Sequence, residues 1–224
     1  WYLHAATTFS MDDIGDFGAS LRYLNLGEVI TTDDNAEQTG SYEASEFEIN
    51  LAYSLEFNED QFLGAGVKFI YSGITRSDVV VGAEKTAPGA SVAVDLGYYA
   101  LLGDWTDFLQ DVRFGLSWNN IGPSITYKDN AQSDPLPIVL RSGLSAVLLN
   151  DEFNHLRFNY EVGILTLEQT IKKHAIGDIA NRFTHSLGLE FTYDNTFIVR
   201  GGGFFESEQF GGRQFMMAGI GFNA

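Results

Sequence analysis

Cysteine is absent from the 224 residues. That removes a disulfide framework, a thiolate nucleophile and every Cys-based zinc or iron–sulfur site in one step. It also suits a chain that crosses an oxidising compartment unfolded. Basic residues are scarce: 13 Lys and Arg stand against 30 Asp and Glu, a formal net charge of −17. Nucleic-acid binding needs basic patches that neutralise phosphates, so that class of function is excluded. No run approaches the ~18 apolar residues of a membrane helix, which excludes a helical membrane protein. A β-barrel is not excluded, because its strands alternate and never look hydrophobic on average. The chain opens at Trp1 with no basic, apolar, small-residue signal segment, and so reads as a mature form or a fragment.

What is present is alternation. Aromatics reach 14%, with 18 Phe and 10 Tyr, and 24 Gly stand against 4 Pro, a balance that favours strands over helices. Phe47, Ile49, Leu51, Tyr53, Leu55 and Phe57 interleave with Glu48, Asn50, Ala52, Ser54 and Glu56. One face of such a strand meets an apolar medium and the other meets water or a polar lumen. The same pattern recurs in Leu63–Tyr71, Val112–Trp118, Leu156–Ile164 and Leu187–Tyr193. About eleven segments emerge, at 1–10, 17–27, 45–57, 62–72, 90–103, 110–121, 138–149, 153–165, 183–193, 196–205 and 213–223. Most approach the ~9–11 residues that a tilted strand needs to cross a bilayer.

The connections alternate as well. Short polar turns fall at Asp12–Asp16, Asn58–Gln61, Asn150–Asn154 and Asp194–Thr196, and long polar loops at 28–44, 73–89, 122–137, 166–182 and 206–212. Short turns on one side and long loops on the other describe an outer-membrane barrel. The acids cluster in these turns, which points to acidic loops and an acidic lumen. The Gly103–Gln110 connection, with Trp105 and Phe108, falls in the short-turn phase but is longer and apolar, as an interfacial element at the periplasmic rim would be. In Thr166–Asp178, Leu167, Ile171 and Ala175 share a helical face, which predicts a short loop helix. Without linker, low-complexity tract or repeat beyond the hairpin, residues 1–224 read as a single domain.

Candidate chemistry is sparse. His4, His155, His174 and His185 have no i, i+4 or HExxH spacing, so they read as rim or loop residues. The pairs Asp12–Asp13, Asp33–Asp34 and Glu59–Asp60 lack the DxDxDG pattern of a calcium loop and read as solvated turns; Asp33–Asp34–Asn35 is the best corner for a weak cation. Gly201–Gly203 lies inside a strand, where glycine eases bending, and not before a helix as a phosphate loop would. No GxSxG elbow occurs, and Gly18-Ala19-Ser20 sits mid-strand. No catalytic, cofactor-binding or metal-ligating residue is assigned, and no enzyme is expected.

Taken in order, several segments resemble the PorV family of the type IX secretion system. They are Gly18–Glu28 (GASLRYLNLGE), Asp33-Asp34, Asn119–Tyr127 (NNIGPSITY), Leu136-Pro137, Leu140-Arg141-Ser142-Gly143, Phe197–Phe205 (FIVRGGGFF), Glu206–Glu208 and Gly219–Phe222 (GIGF). The resemblance implies an all-β, antiparallel, up-and-down transmembrane barrel, FadL-like and of fourteen strands. About eleven would lie in this chain, with strands missing at both ends. It also implies a non-enzymatic role in the cell outer membrane. The expected partners are a large translocon barrel, secreted cargo bound through its C-terminal signal domain, the surface attachment complex, and lipid or lipopolysaccharide. The shared architecture leaves a FadL-like transporter of hydrophobic small molecules as the alternative, and a soluble β-sandwich as a third reading.

Overall fold

The structure, a computed structural model, describes residues 1–33, 35–75, 80–81, 84–85, 87–127, 133–165 and 182–223. The strands are, in chain order, β1 (Tyr2–Met11), β2 (Gly15–Thr32), β3 (Gln38–Asn58), β4 (Gln61–Gly73), the two-residue β5 (Val80–Val81) and β6 (Glu84–Lys85), β7 (Gly89–Gly103) and β8 (Gln110–Ile121). There follow the short β9 (Ile125–Thr126) and β10 (Ser133–Asp134), then β11 (Val139–Asn150), β12 (Asn154–Leu165), β13 (Phe183–Tyr193), β14 (Phe197–Phe205) and β15 (Gln214–Phe222). The sheet order is β1-β2-β3-β4-β7-β8-β11-β12-β13-β14-β15, an up-and-down meander of eleven strands. β5 with β6 and β9 with β10 form small separate hairpins. The fold is all-β, and the eleven segments legible as alternation are the eleven strands of the sheet. No ladder joins β1 to β15 among the described residues.

Two compact units divide the chain. Trp1–Leu55, Gly64–Leu96 and Asn119–Leu136 make the first; Glu56–Leu63, Gly97–Trp118 and Pro137–Ala224 make the second.

Burial is inverted relative to a water-soluble protein. Val67 of β4 is 59% exposed, whereas its neighbour Lys68 is 6% exposed. In β3, Ile49 and Leu51 are exposed while Glu48 and Asn50 are half-buried; in β7, Val92, Val94 and Leu96 are exposed while Ser91 and Ala93 are buried. The second unit repeats this in Leu187 and Leu189 of β13. Because side chains alternate across a strand, β3, β4 and the first half of β7 sort their residues into an apolar, uncovered face and a more covered one, whereas β1 is exposed throughout. Soluble monomers rarely leave more than a few hundred Å² of contiguous apolar surface in water. Alternating strands with an exposed apolar face are a feature of membrane β-barrels.

Local chemistry closes the short turns. Asp194 and Asn195 have φ of 49° and 50°, and the Thr196 amide donates to the Tyr193 carbonyl at 3.0 Å. That is a two-residue type I′ turn, whose twist matches the strands it joins. At the β11–β12 turn the Asp151 carboxylate accepts the amides of Phe153 at 3.0 Å and Asn154 at 2.9 Å. The Phe153 amide bond above all, with the Asn154 side chain and amide, holds the Asp151 carboxyl below its ordinary pKa. Aromatic residues gather beside these turns. Phe9 stacks on Phe17 at 5.2 Å in the first unit, and Phe153 meets Tyr193 at 6.4 Å in the second. The Gly103–Gln110 connection is a small hairpin, with the Trp105 amide bonded to the Leu109 carbonyl at 2.9 Å and Trp105 and Phe108 both exposed.

The predicted loop at 28–44 is different. β2 runs to Thr32 and β3 starts at Gln38, so strand pairing carries on through most of it and only 33–37 connects. The extension follows a β-bulge at Asn25–Gly27, where the register shifts. Gly27 has φ of 92° and its amide donates to Asn25 Oδ1 at 2.8 Å, a backbone shape that a side chain would strain. Polar composition suggested a loop, but Val29, Ile30 and Thr31 still pair with Tyr42, Ser41 and Gly40, and Thr32 pairs with Gln38 after a second register shift. The predicted helix at Thr166–Asp178 lies outside the described residues.

Candidate functional site

In each unit the polar face carries side-chain ion pairs. In the first unit, Lys68 Nζ lies 2.8 Å from Asp95 Oδ2 and donates to Asn120 Oδ1 at 2.8 Å. The Asn120 amide in turn donates to Asp95 Oδ1 at 2.8 Å, closing a three-residue ring. The side chains of Lys68 and Asp95 are 8% and 19% exposed, so this is a largely desolvated pair. A buried charge of this kind is tolerable only when paired and hydrogen-bonded, and here both partners are. Asn120 has φ of 62°, a left-handed shape that Asn accepts more readily than most residues, and it turns the chain out of β8.

The chain then folds back over β7. A Cβ on Gly122 would sit 2.1 Å from the Val92 carbonyl oxygen, so only glycine fits there. Ser91 Oγ donates to the Pro123 carbonyl at 2.8 Å, and the Ala87 amide donates to the Tyr127 carbonyl at 2.7 Å. Ile125 and Leu136 are buried. Nearby on the same face, Ser72 donates to Glu46 at 2.5 Å. Glu48 Oε1 and Asn50 Oδ1 are buried with no hydrogen-bond donor, although Glu48 Oε1 has Arg22 Nη1 at 3.5 Å as an ion-pair partner. At that distance the contact is electrostatic and not a hydrogen bond.

The second unit holds a ladder of more open pairs. Asp111 takes Arg113 through Nε at 3.0 Å and Nη2 at 2.6 Å, and it also accepts Arg157 Nη2. Arg157 Nη1 donates to Ser145 Oγ at 3.0 Å. Arg141 with Glu161 and Arg200 with Glu190 continue the series. In the β14–β15 connection, Glu206 is clasped by Arg213 through Nε at 2.8 Å and Nη2 at 2.9 Å. This bidentate bond holds the Glu206 carboxyl below its ordinary pKa. Arg213 lies over the Phe204 ring at 5.6 Å, and Arg182 over Phe210 at 5.3 Å.

The sequence candidates are scattered. His185 Nδ1 pairs with the Tyr160 hydroxyl at 2.7 Å, while His4 stands opposite Arg22 and His155 opposite Asn150. His174 and Asp34 lie outside the described residues. The Asp33 carboxylate is committed to its own turn, accepting the amides of Asn35 and Glu37, each at 2.9 Å. No group of three or more potential ligands is placed to hold a metal among the described residues. Gly201–Gly203 lies within β14, with Gly202 on the polar face. The Lys68–Asp95–Asn120 ring went unnoticed in the sequence. Lys68 amid the glycines of β4 and Asp95 in an apolar strand were the available signals.

Comparison with known proteins is specific on one point. A family model described as "Type IX secretion system protein PorV" matches residues 2–171. No curated protein matches the chain.

Proposed function

The chain belongs to the PorV family of type IX secretion system proteins, and from that membership we propose that it acts in the outer membrane as a non-enzymatic docking subunit of the secretion apparatus. It is a component of that system. On this reading it associates with the large translocon barrel, receives secreted cargo through the cargo's C-terminal signal domain and passes it to the surface attachment complex. The observation that carries the reading is the family match, which spans most of the chain and includes the Gly18–Glu28 and Asn119–Tyr127 motifs.

The inverted burial supports a membrane location, because strands with one uncovered apolar face need lipid or lipopolysaccharide against them. Exposed Trp105, Phe108 and Phe153 beside the short turns suit a membrane–water interface, where aromatic rings concentrate. Transport of hydrophobic small molecules is less well supported. The polar face of the second unit presents Asp111, Arg141, Glu161, Glu190 and Arg200, which offer an acyl chain little apolar contact.

The test is affinity capture of the tagged protein from outer membranes, paired with a deletion strain. The expected result is recovery of a very large barrel protein or of secreted cargo, with cargo retained in cells lacking the gene. Capture of neither, together with normal secretion in the deletion strain, would sink the proposal.

A further inference from the structure

We propose that Gly122–Tyr127 (GPSITY) is a cap folded onto the polar face of β7, fastened at its root by the buried Lys68–Asp95 pair through Asn120 near the end of β8, and that breaking this pair lets the cap lift. The inference is independent of the secretion reading, since it concerns how one segment of the chain is held.

Two sets of contacts seat the cap. At its root, the Asn120 amide and side chain bond to Asp95 and Lys68 respectively, so the β8 residue from which the cap departs touches both members of the ion pair. Beyond the root, the cap lies on the small residues Gly89, Ser91 and Ala93, all of them buried. A Cβ on Gly89 would come 2.8 Å from Ile125, so the strand is cut away where the cap inserts its apolar residue. Gly122 approaches the β7 backbone in the same way. The two seats differ in kind. The second is shape, which tolerates breathing; the first is a desolvated charge pair, in which each group depends on the others being present. Asp95→Asn leaves Lys68 without a counter-charge, and hydration of that ammonium requires the overlying chain to move. The lock therefore decides whether the cap stays down.

The absence of cysteine makes this directly measurable. Ile125→Cys places one thiol under the cap, and its labelling rate by a membrane-impermeant maleimide reads cap opening in the detergent-solubilised full chain. Ser124→Cys, at an exposed position, gives the uncapped rate. Slow labelling at Cys-substituted Ile125 is expected in the parent. Adding Asp95→Asn, or separately Gly122→Ala, should accelerate it about tenfold or more, with heat-modifiable gel migration confirming a folded barrel. Glu190→Gln, which breaks an exposed pair in the second unit, should leave the rate unchanged. Should Asp95→Asn fail to fold, Lys68→Met takes its place, since it leaves the Asp95 carboxylate without its counter-charge at the same site. Folded variants that label at the parent rate overturn the proposal, as does a parent that already labels as fast as the Ser124→Cys reference.

Discussion

The two units use the same chemistry, each on its own polar face, and expose it differently. In the first, Lys68 and Asp95 are 8% and 19% exposed, bonded to Asn120 at the root of the Gly122–Tyr127 segment that folds onto β7. In the second, Arg200 and Glu190 are 55% and 31% exposed on strands with no such cover among the described residues. An ion pair gains most from proximity where water is excluded, and there it also costs most to break; in water it contributes little. What separates a structural lock from a solvated pair here is not residue type or strand position. It is whether another piece of chain lies on top.

Equilibrium unfolding of purified variants can break that comparison. Asp95→Asn should have the largest effect, destabilising by about 3–5 kcal/mol because it strands a buried Lys68; a loss below about 1 kcal/mol would show that water already reaches the pair. Asp111→Ala is intermediate. It frees two guanidiniums from one carboxylate, but the site is partly open, so about 1–2 kcal/mol is expected. Glu190→Gln should cost less than about 1 kcal/mol, and that loss should shrink further in high salt.

The smallest effect concerns Glu206. Its folded pKa lies below the ordinary 4.5, so the Arg213 clasp contributes fully above that value and is lost as the pH falls through the folded one. Amide exchange in the Gly211–Gly212 turn should therefore differ between the parent and Glu206→Gln at neutral pH. The difference should vanish in strong acid; a difference that persists there would show that the clasp matters through packing alone.

Much of the fold was legible because strand residues report their own environment. Phe47 to Phe57 alternate without a break, and each apolar residue marks the same face whatever the rest of the chain does. Short turns were equally local: Asp194-Asn195 adopts positive φ from its own chemistry. The β2–β3 hairpin was harder, since polar residues at 38–44 read as loop while cross-strand pairing through the Asn25–Gly27 bulge holds them as strand. The candidate site was hardest. Lys68, Asp95 and Asn120 belong to three strands, and no spacing in the sequence links them. The NNIGP motif was visible as a family resemblance, but what its residues do was not: Asn120 closes the ring and Gly122 permits close approach to β7.

Sequence alone determined the eleven strands of the main sheet, the two-faced character of strands such as β3 and β4, and the positions where the chain turns tightly. These follow from alternation and turn chemistry, which act over a few neighbouring residues. Tertiary structure decided which charges are dry. Lys68 and Glu190 are both charged residues on polar faces, and only the fold brings Asn120 and the segment after it against the first, because solvent exclusion depends on chain brought from far along the sequence.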